Sequence, residues 1–135
     1  MSNDDNGTPR SPAETSDMRA QLRACALTFP EAYEEYPWGQ VVVKVRKKVF
    51  IFLDGYQDDP IVHFSVKLPI TGADVLSMPF ANPTGYGLGK AGWISFHFEP
   101  GEQPPVEMLH VWIAESYRAV APKRLIAQLD ALSKT

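Results

Sequence analysis

Arg46, Lys47 and Lys48 stand together in KVRKKVF, and cations on a projecting turn can contact phosphate oxygens or straddle a nucleic-acid groove. Lys44, Lys67 and Lys90 can extend such a patch, and Trp93 or Tyr86 offers a ring on which a base can stack. Solvation of an exposed turn is the competing use for the same charges. The segment TGYGLGKAGW suggests a second chemistry. Gly85, Gly87 and Gly89 permit close backbone approach and Lys90 adds charge, which together suit a phosphate or carboxylate. It is no Walker A loop, because Thr84 stands where glycine is needed and Ala91 where Ser or Thr is needed. Joined by Trp38, His63 and Tyr86, these residues make an alternative site for a small anionic or aromatic ligand.

Enzyme chemistry is harder to find. His63 and His97 can approach each other across paired strands, but two imidazoles without a suitably spaced carboxylate are a poor metal site, so no metal is expected. Ser65 and Ser95 lack a nucleophile-elbow motif. Glu34, Glu35, Asp58 and Asp59 lack calcium-loop spacing. The lone Cys25 excludes an intrachain disulfide, lies on the apolar stripe of a helix and is expected in the core. With no acid, base and nucleophile set, the expectation is a non-enzymatic binding protein without a cofactor.

The net charge of -3 is carried by the first seventeen residues, where Asp4, Asp5, Glu14 and Asp17 oppose Arg10. The rest of the 135-residue chain is formally neutral, which argues against tight non-specific duplex binding but leaves room for a local basic stripe. No apolar run reaches the ~20 residues of a membrane span and no leader pattern opens the chain. A cytoplasmic protein without membrane contact is expected; the oligomeric state stays open.

Residues 1–15 have almost nothing to bury and are expected to form a disordered acidic tail, with a single domain over 16–135. Ser16 is a candidate N-cap for a helix through Met18, Leu22, Cys25 and Phe29, ended by Pro30. The stretch EEYPWGQ reads as turns. Val41, Val43 and Val45 alternate with Val42, Lys44 and Arg46, and VFIFL follows, predicting a hairpin with a basic tip. Two further strands have unlike faces: Val62, Phe64, Val66 and Leu68 against Ile61, His63, Ser65 and Lys67, then Ile94, Phe96 and Phe98 against Trp93, Ser95 and His97. Between them Thr71 and Asp74 have capping-box spacing. Val106, Leu109, Ile113, Tyr117 and Val120 mark a helix, and Leu125, Leu129 and Leu132 a second one beyond Pro122. The predicted architecture is a two-layer α+β sandwich, an antiparallel sheet with helices on one face. Its other face is expected to expose Lys44, His63, Ser65, Lys67, Trp93, Ser95 and His97.

YPWG, KVRKKVF, SVKLP, GYGLGKAGWIS and ESYRAV, in this order, resemble the MmcQ/YjbR family of small bacterial proteins, from Met18 to about Lys123. The resemblance implies a frataxin-like (CyaY-like) sandwich, a bacterial cytoplasmic setting and DNA binding through a double-wing arrangement, with no catalytic residue. A shared fold does not itself transfer an activity. The chain departs from the family pattern in its acidic tail and in DGYQDDP, which is longer and more acidic than a usual hairpin link.

Overall fold

A computed structural model describes residues 12–36, 40–54, 62–85, 87–99 and 106–133. Its centre is a six-stranded antiparallel sheet of β1 (Tyr33–Glu35), β2 (Val41–Val45), β3 (Lys48–Asp54), β4 (Val62–Lys67), β5 (Ala81–Pro83) and β6 (Trp93–Phe98). The order across the sheet is β1-β2-β3-β4-β6-β5. Four helices accompany it among the described residues: α1 (Pro12–Leu27), the single turn α2 (Gly72–Val75), α3 (Val106–Val120) and α4 (Lys123–Ser133). The α+β sandwich expected from the alternating strands is therefore present. Two strands, β1 and β5, go beyond that expectation. Each has three residues, YEE and ANP, too few for a period to register, and Pro83 is tolerated because β5 is an edge.

The apolar face of the sheet is covered by α1 and α3. Leu109, Trp112, Ile113 and Tyr117 recur at helical spacing and are all buried, with Trp112 stacked on Phe96 at 4.8 Å between ring centroids. Burying side chains of this size contributes roughly 1.5–3 kcal/mol each. From α1 come Leu22 and Ala26, followed by Phe29, which packs against Phe50 and Tyr117. The helix begins at Pro12 rather than after Ser16, since proline suits a first turn. Cys25 packs at the margin of the core, half-buried, where desolvation pushes its thiol pKa up.

A bulge sets the geometry of the β2–β3 hairpin. Val43 faces Ile51 but Lys44 faces Val49, so Phe50 is the extra residue, and Phe50 and Ile51 are both fully buried. The gap this opens beside β4 is closed from α3. Ser116 Oγ donates to the Phe50 carbonyl and accepts from the Lys67 amide at 2.8 Å, satisfying both backbone groups. Its neighbours act similarly. Glu115 accepts from the Ile70 and Thr71 amides and from the Thr71 hydroxyl, and the Tyr117 hydroxyl donates to the Pro30 carbonyl. The motif ESYRAV is thus a row of fasteners from α3 to strands β3 and β4 and to the loops at Pro30 and Ile70–Thr71. The capping box expected at Thr71 is absent, because its hydroxyl donates to Glu115 instead of accepting from the helix.

Antiparallel pairing gives the sheet two dissimilar ends. At one lie the β2–β3 turn, the start of β3 at Lys48, the end of β4 at Lys67 and the start of β6 at Trp93. At the other, β3 ends on Asp54 and Glu99 follows β6.

Candidate functional site

The outer face of the sheet carries most of the residues expected to bind. Register sets Phe52, Ser65 and Ser95 in one row and His63 beside His97 in the next. Ser95 Oγ lies 2.8 Å from Ser65 Oγ and 2.9 Å from Thr84 Oγ1, a chain of hydroxyls that answer one another. The histidine rings are 6.4 Å apart, and Asn82 Nδ2 lies 3.4 Å from His97 Nδ1. Trp93 lies edge-on to Phe52 at 5.1 Å and is only 8% exposed, and Val42 and Ser65 are buried as well. These positions correct the expectation of a continuous exposed surface. Of its members, Lys44, His63, Lys67, Ser95 and His97 are half-buried, while Ser65 and Trp93 are buried. Alternation assigns a side chain to a face without saying how much water reaches it. Trp93 has no open ring face for a base.

Lys44 is also committed. Its Nζ lies 2.6 Å from Glu35 Oε1, and that hydrogen-bonded pairing raises the ammonium pKa. Near it, Arg23 binds Glu34 with Nε at 2.6 Å from Oε2, which lowers the Glu34 pKa.

The glycine segment folds onto itself. A 3-10 turn over Leu88–Ala91 uses the amides of Leu88, Gly89, Lys90 and Gly92 to bond the carbonyls of Gly85, Thr84, Gly87 and Gly89. Those four N–H groups are engaged within the loop rather than directed at an anion. Gly89 has a packing role, because a Cβ there would meet Pro83 Cβ at 3.0 Å and the Thr84 carbonyl at 3.1 Å. Gly87 and Gly92 have φ of 79° and 95°, while nothing stands within 4 Å of a Cβ at Gly85. Lys90 is exposed on this turn. Trp38 and Tyr86, the aromatic members of the alternative ligand site, lie outside the described residues.

The basic hairpin tip is more exposed than the face. Arg46 and Lys47 have φ of 50° and 70°, the positive values that a two-residue type I′ turn requires, although neither is Gly, Asn or Asp. Lys47 and Lys48 are exposed, and among the described residues no carboxylate pairs with them. Arg46 reaches Glu31 by two bonds, Nε to Oε1 at 2.7 Å and Nη2 to Oε2 at 3.2 Å. Hydrogen bonding from Arg46 holds the Glu31 carboxyl below its ordinary range. On the same carboxylate, Arg124 Nη2 approaches Oε2 at 3.5 Å, which brings the start of α4 to the tip, with Lys123 exposed beside it.

The structure therefore gathers Arg46, Lys47, Lys48, Lys123 and Arg124 around the hairpin tip, with Lys67 and Lys90 at the same end of the sheet. Carboxylates also stand here: Glu31 at the tip, the buried Glu115 against Ile70 and Thr71, and Asp130 paired with Arg118 in the last turn of α3. Of the residues expected to form one patch, Trp93 stands at this end but is buried, and Lys44 is paired with Glu35. Glu31, Lys123 and Arg124 are additions that the sequence pattern did not mark. One signal was available: KR directly after Pro122 places two cations in the first turn of a helix, where the macrodipole disfavours them. A locally unfavourable choice of this kind often marks a functional position.

Comparison with known proteins agrees with this architecture. A family profile described as YjbR matches residues 27–119. No curated protein matches the chain. Among solved structures, a crystal structure of a protein from Pseudomonas syringae, a structural genomics target, is similar with a TM-score of 0.58 and 18% identity. The match covers 76% of this chain and 98% of that one, and shows a likeness of fold. Among the described residues no helix is long and apolar enough to cross a membrane.

Proposed function

The chain belongs to the YjbR family, and we propose that it is a non-enzymatic DNA-binding protein whose contact surface is the basic end of the sheet. The observation that carries this reading is the meeting of Lys47 and Lys48 with Lys123 and Arg124 at one end of a domain with no net positive charge. Phosphate contacts need cations that are exposed and clustered, and these are both. The tip is narrow, with turn residues at positive φ, so it can enter or straddle a groove as a wing. Lys67 and Lys90 extend the surface along the same end of the sheet.

Fluorescence anisotropy with a labelled duplex at low and moderate salt tests this. Changing Lys47 and Lys48 together to Glu should weaken binding roughly tenfold or more and flatten the plot of log K against log salt by about 0.9 for each phosphate no longer neutralised. Lys44→Glu should change it far less. Equal affinity for the wild type and the double variant overturns the reading.

A further inference from the structure

The Glu31 carboxylate is faced by two guanidinium groups. Arg46 grips it with the fork of its guanidinium, at 2.7 and 3.2 Å, and Arg124 faces the same Oε2 at 3.5 Å. Two guanidiniums converging on one oxyanion form the arrangement by which proteins hold phosphate, since the fork matches carboxylate and phosphoryl oxygens alike. We propose that Arg46 and Arg124 form a phosphate clamp in which Glu31 is a resident substitute, displaced when a phosphodiester of the nucleic-acid backbone binds. This rests on the DNA-binding reading and adds to it the group that is recognised and the residue that competes for it.

Several observations support the exchange. The Arg124 side chain is 69% exposed, and those of Arg46 and Glu31 are 44% and 46% exposed, so an incoming anion can reach all three. Exposed ion pairs contribute little net stability and can be replaced by a better anion. With Glu31 counted, Arg46 and Arg124 still leave one unbalanced positive charge, and Lys123 stands next in the chain. Glu31 has φ of 60° and Arg46 φ of 50°, an uncommon conformation for such residues at both ends of one ion pair. The segment holding Glu31 is fixed by the Tyr117 hydroxyl on the Pro30 carbonyl, so release of the carboxylate need not move the backbone. Finally, the position of Arg124 in the first turn of α4 works against the helix dipole, a cost that an anion bound there would offset.

The test is a binding cycle on the full chain with Glu31→Gln, Arg124→Gln and the double variant, using a labelled duplex and a salt series. Glu31→Gln should tighten duplex binding several-fold and steepen the salt dependence by about 0.9 for each further phosphate neutralised. Arg124→Gln should weaken binding more when combined with Glu31→Gln than when made alone. A purely structural Glu31, serving only to hold Arg46, predicts the reverse: Glu31→Gln then weakens binding or leaves it unchanged, which overturns the clamp. Thermal melting of each variant identifies any that fail to fold, and Glu31→Ala then repeats the test.

Comparing oligonucleotides with and without terminal phosphate, and titrating inorganic phosphate while observing the arginine Nε–H resonances, distinguishes a backbone phosphodiester from a terminal or free phosphate. A preference for the terminal or free group overturns the phosphodiester assignment. The two readings also fail differently. Duplex binding that falls with the Lys47 and Lys48 changes but ignores Glu31→Gln removes the clamp and keeps the function. Absence of duplex binding, with inorganic phosphate still shifting Arg46 and Arg124 more strongly in Glu31→Gln, removes the DNA reading and keeps a phosphate site.

Discussion

The outer face of the sheet and its basic end use similar residues to opposite effect. On the face, Trp93 is buried against Phe52 and Lys44 is tied to Glu35, so an aromatic ring and a cation that look available for binding serve the fold. At the end, Lys47, Lys48 and Lys123 are exposed, and the pair that does form there, Arg46 with Glu31, is itself open to solvent. Turns and helix starts thus leave cations more accessible in this domain than the polar side of its strands does. The same contrast explains how a chain of negative net charge can present a positive surface, since Arg46, Lys47, Lys48, Lys123 and Arg124 gather at one end.

Trp93 is where this contrast is most exposed to refutation. If the face is interior, Trp93→Ala should destabilise the protein by roughly 3–5 kcal/mol in chemical denaturation. Duplex affinity of the folded fraction should be nearly unchanged. A stable variant with weakened binding would return Trp93 to the ligand surface. A smaller effect is expected beneath the end itself. Ser116→Ala leaves the Phe50 carbonyl and the Lys67 amide without their partner, and should cost roughly 1–3 kcal/mol, read as a lower denaturation midpoint with an unchanged m-value. The smallest shift is predicted at the tip. Lys47→Gly removes a side chain from a left-handed position and should stabilise the domain by about 1 kcal/mol, while weakening duplex binding through removal of one cation. A variant that gained stability with no fall in affinity would place the contact surface away from the turn.

Much of the fold was legible because period-two alternation is strong where the strands are long. β3, β4 and β6 have seven, six and six residues, and the division of β4 into Val62, Phe64 and Val66 against His63, Ser65 and Lys67 survives intact. The edge strands were not legible, since Tyr33–Glu35 and Ala81–Pro83 become strands only by pairing with neighbours that have the propensity they lack. Burial of Trp93 was hidden for a related reason: face assignment is local, accessibility is tertiary. For the site, the run Arg46 to Lys48 was visible as charge on a turn, although the turn type was not, because Arg and Lys are poor choices for positive φ. Glu31 and Arg124 escaped notice because they meet Arg46 only when α4 packs beside the hairpin, and no spacing rule links residues so far apart in the chain.

The Ser116 hydroxyl has a temporal meaning as well as a structural one. It joins a carbonyl on β3 to an amide on β4 from a helix 66 residues after the first and 49 after the second. Until α3 has docked, the ladder beside the bulge stays open and hydrated, and the strand ends that frame the hairpin tip are not yet fixed. Closing those long loops is expected late in folding, because their entropy must be lost before the contact rewards it. On this reasoning the cations of the proposed contact surface reach their final positions only once the core behind them is complete, so an unfinished chain carries their charges without their arrangement.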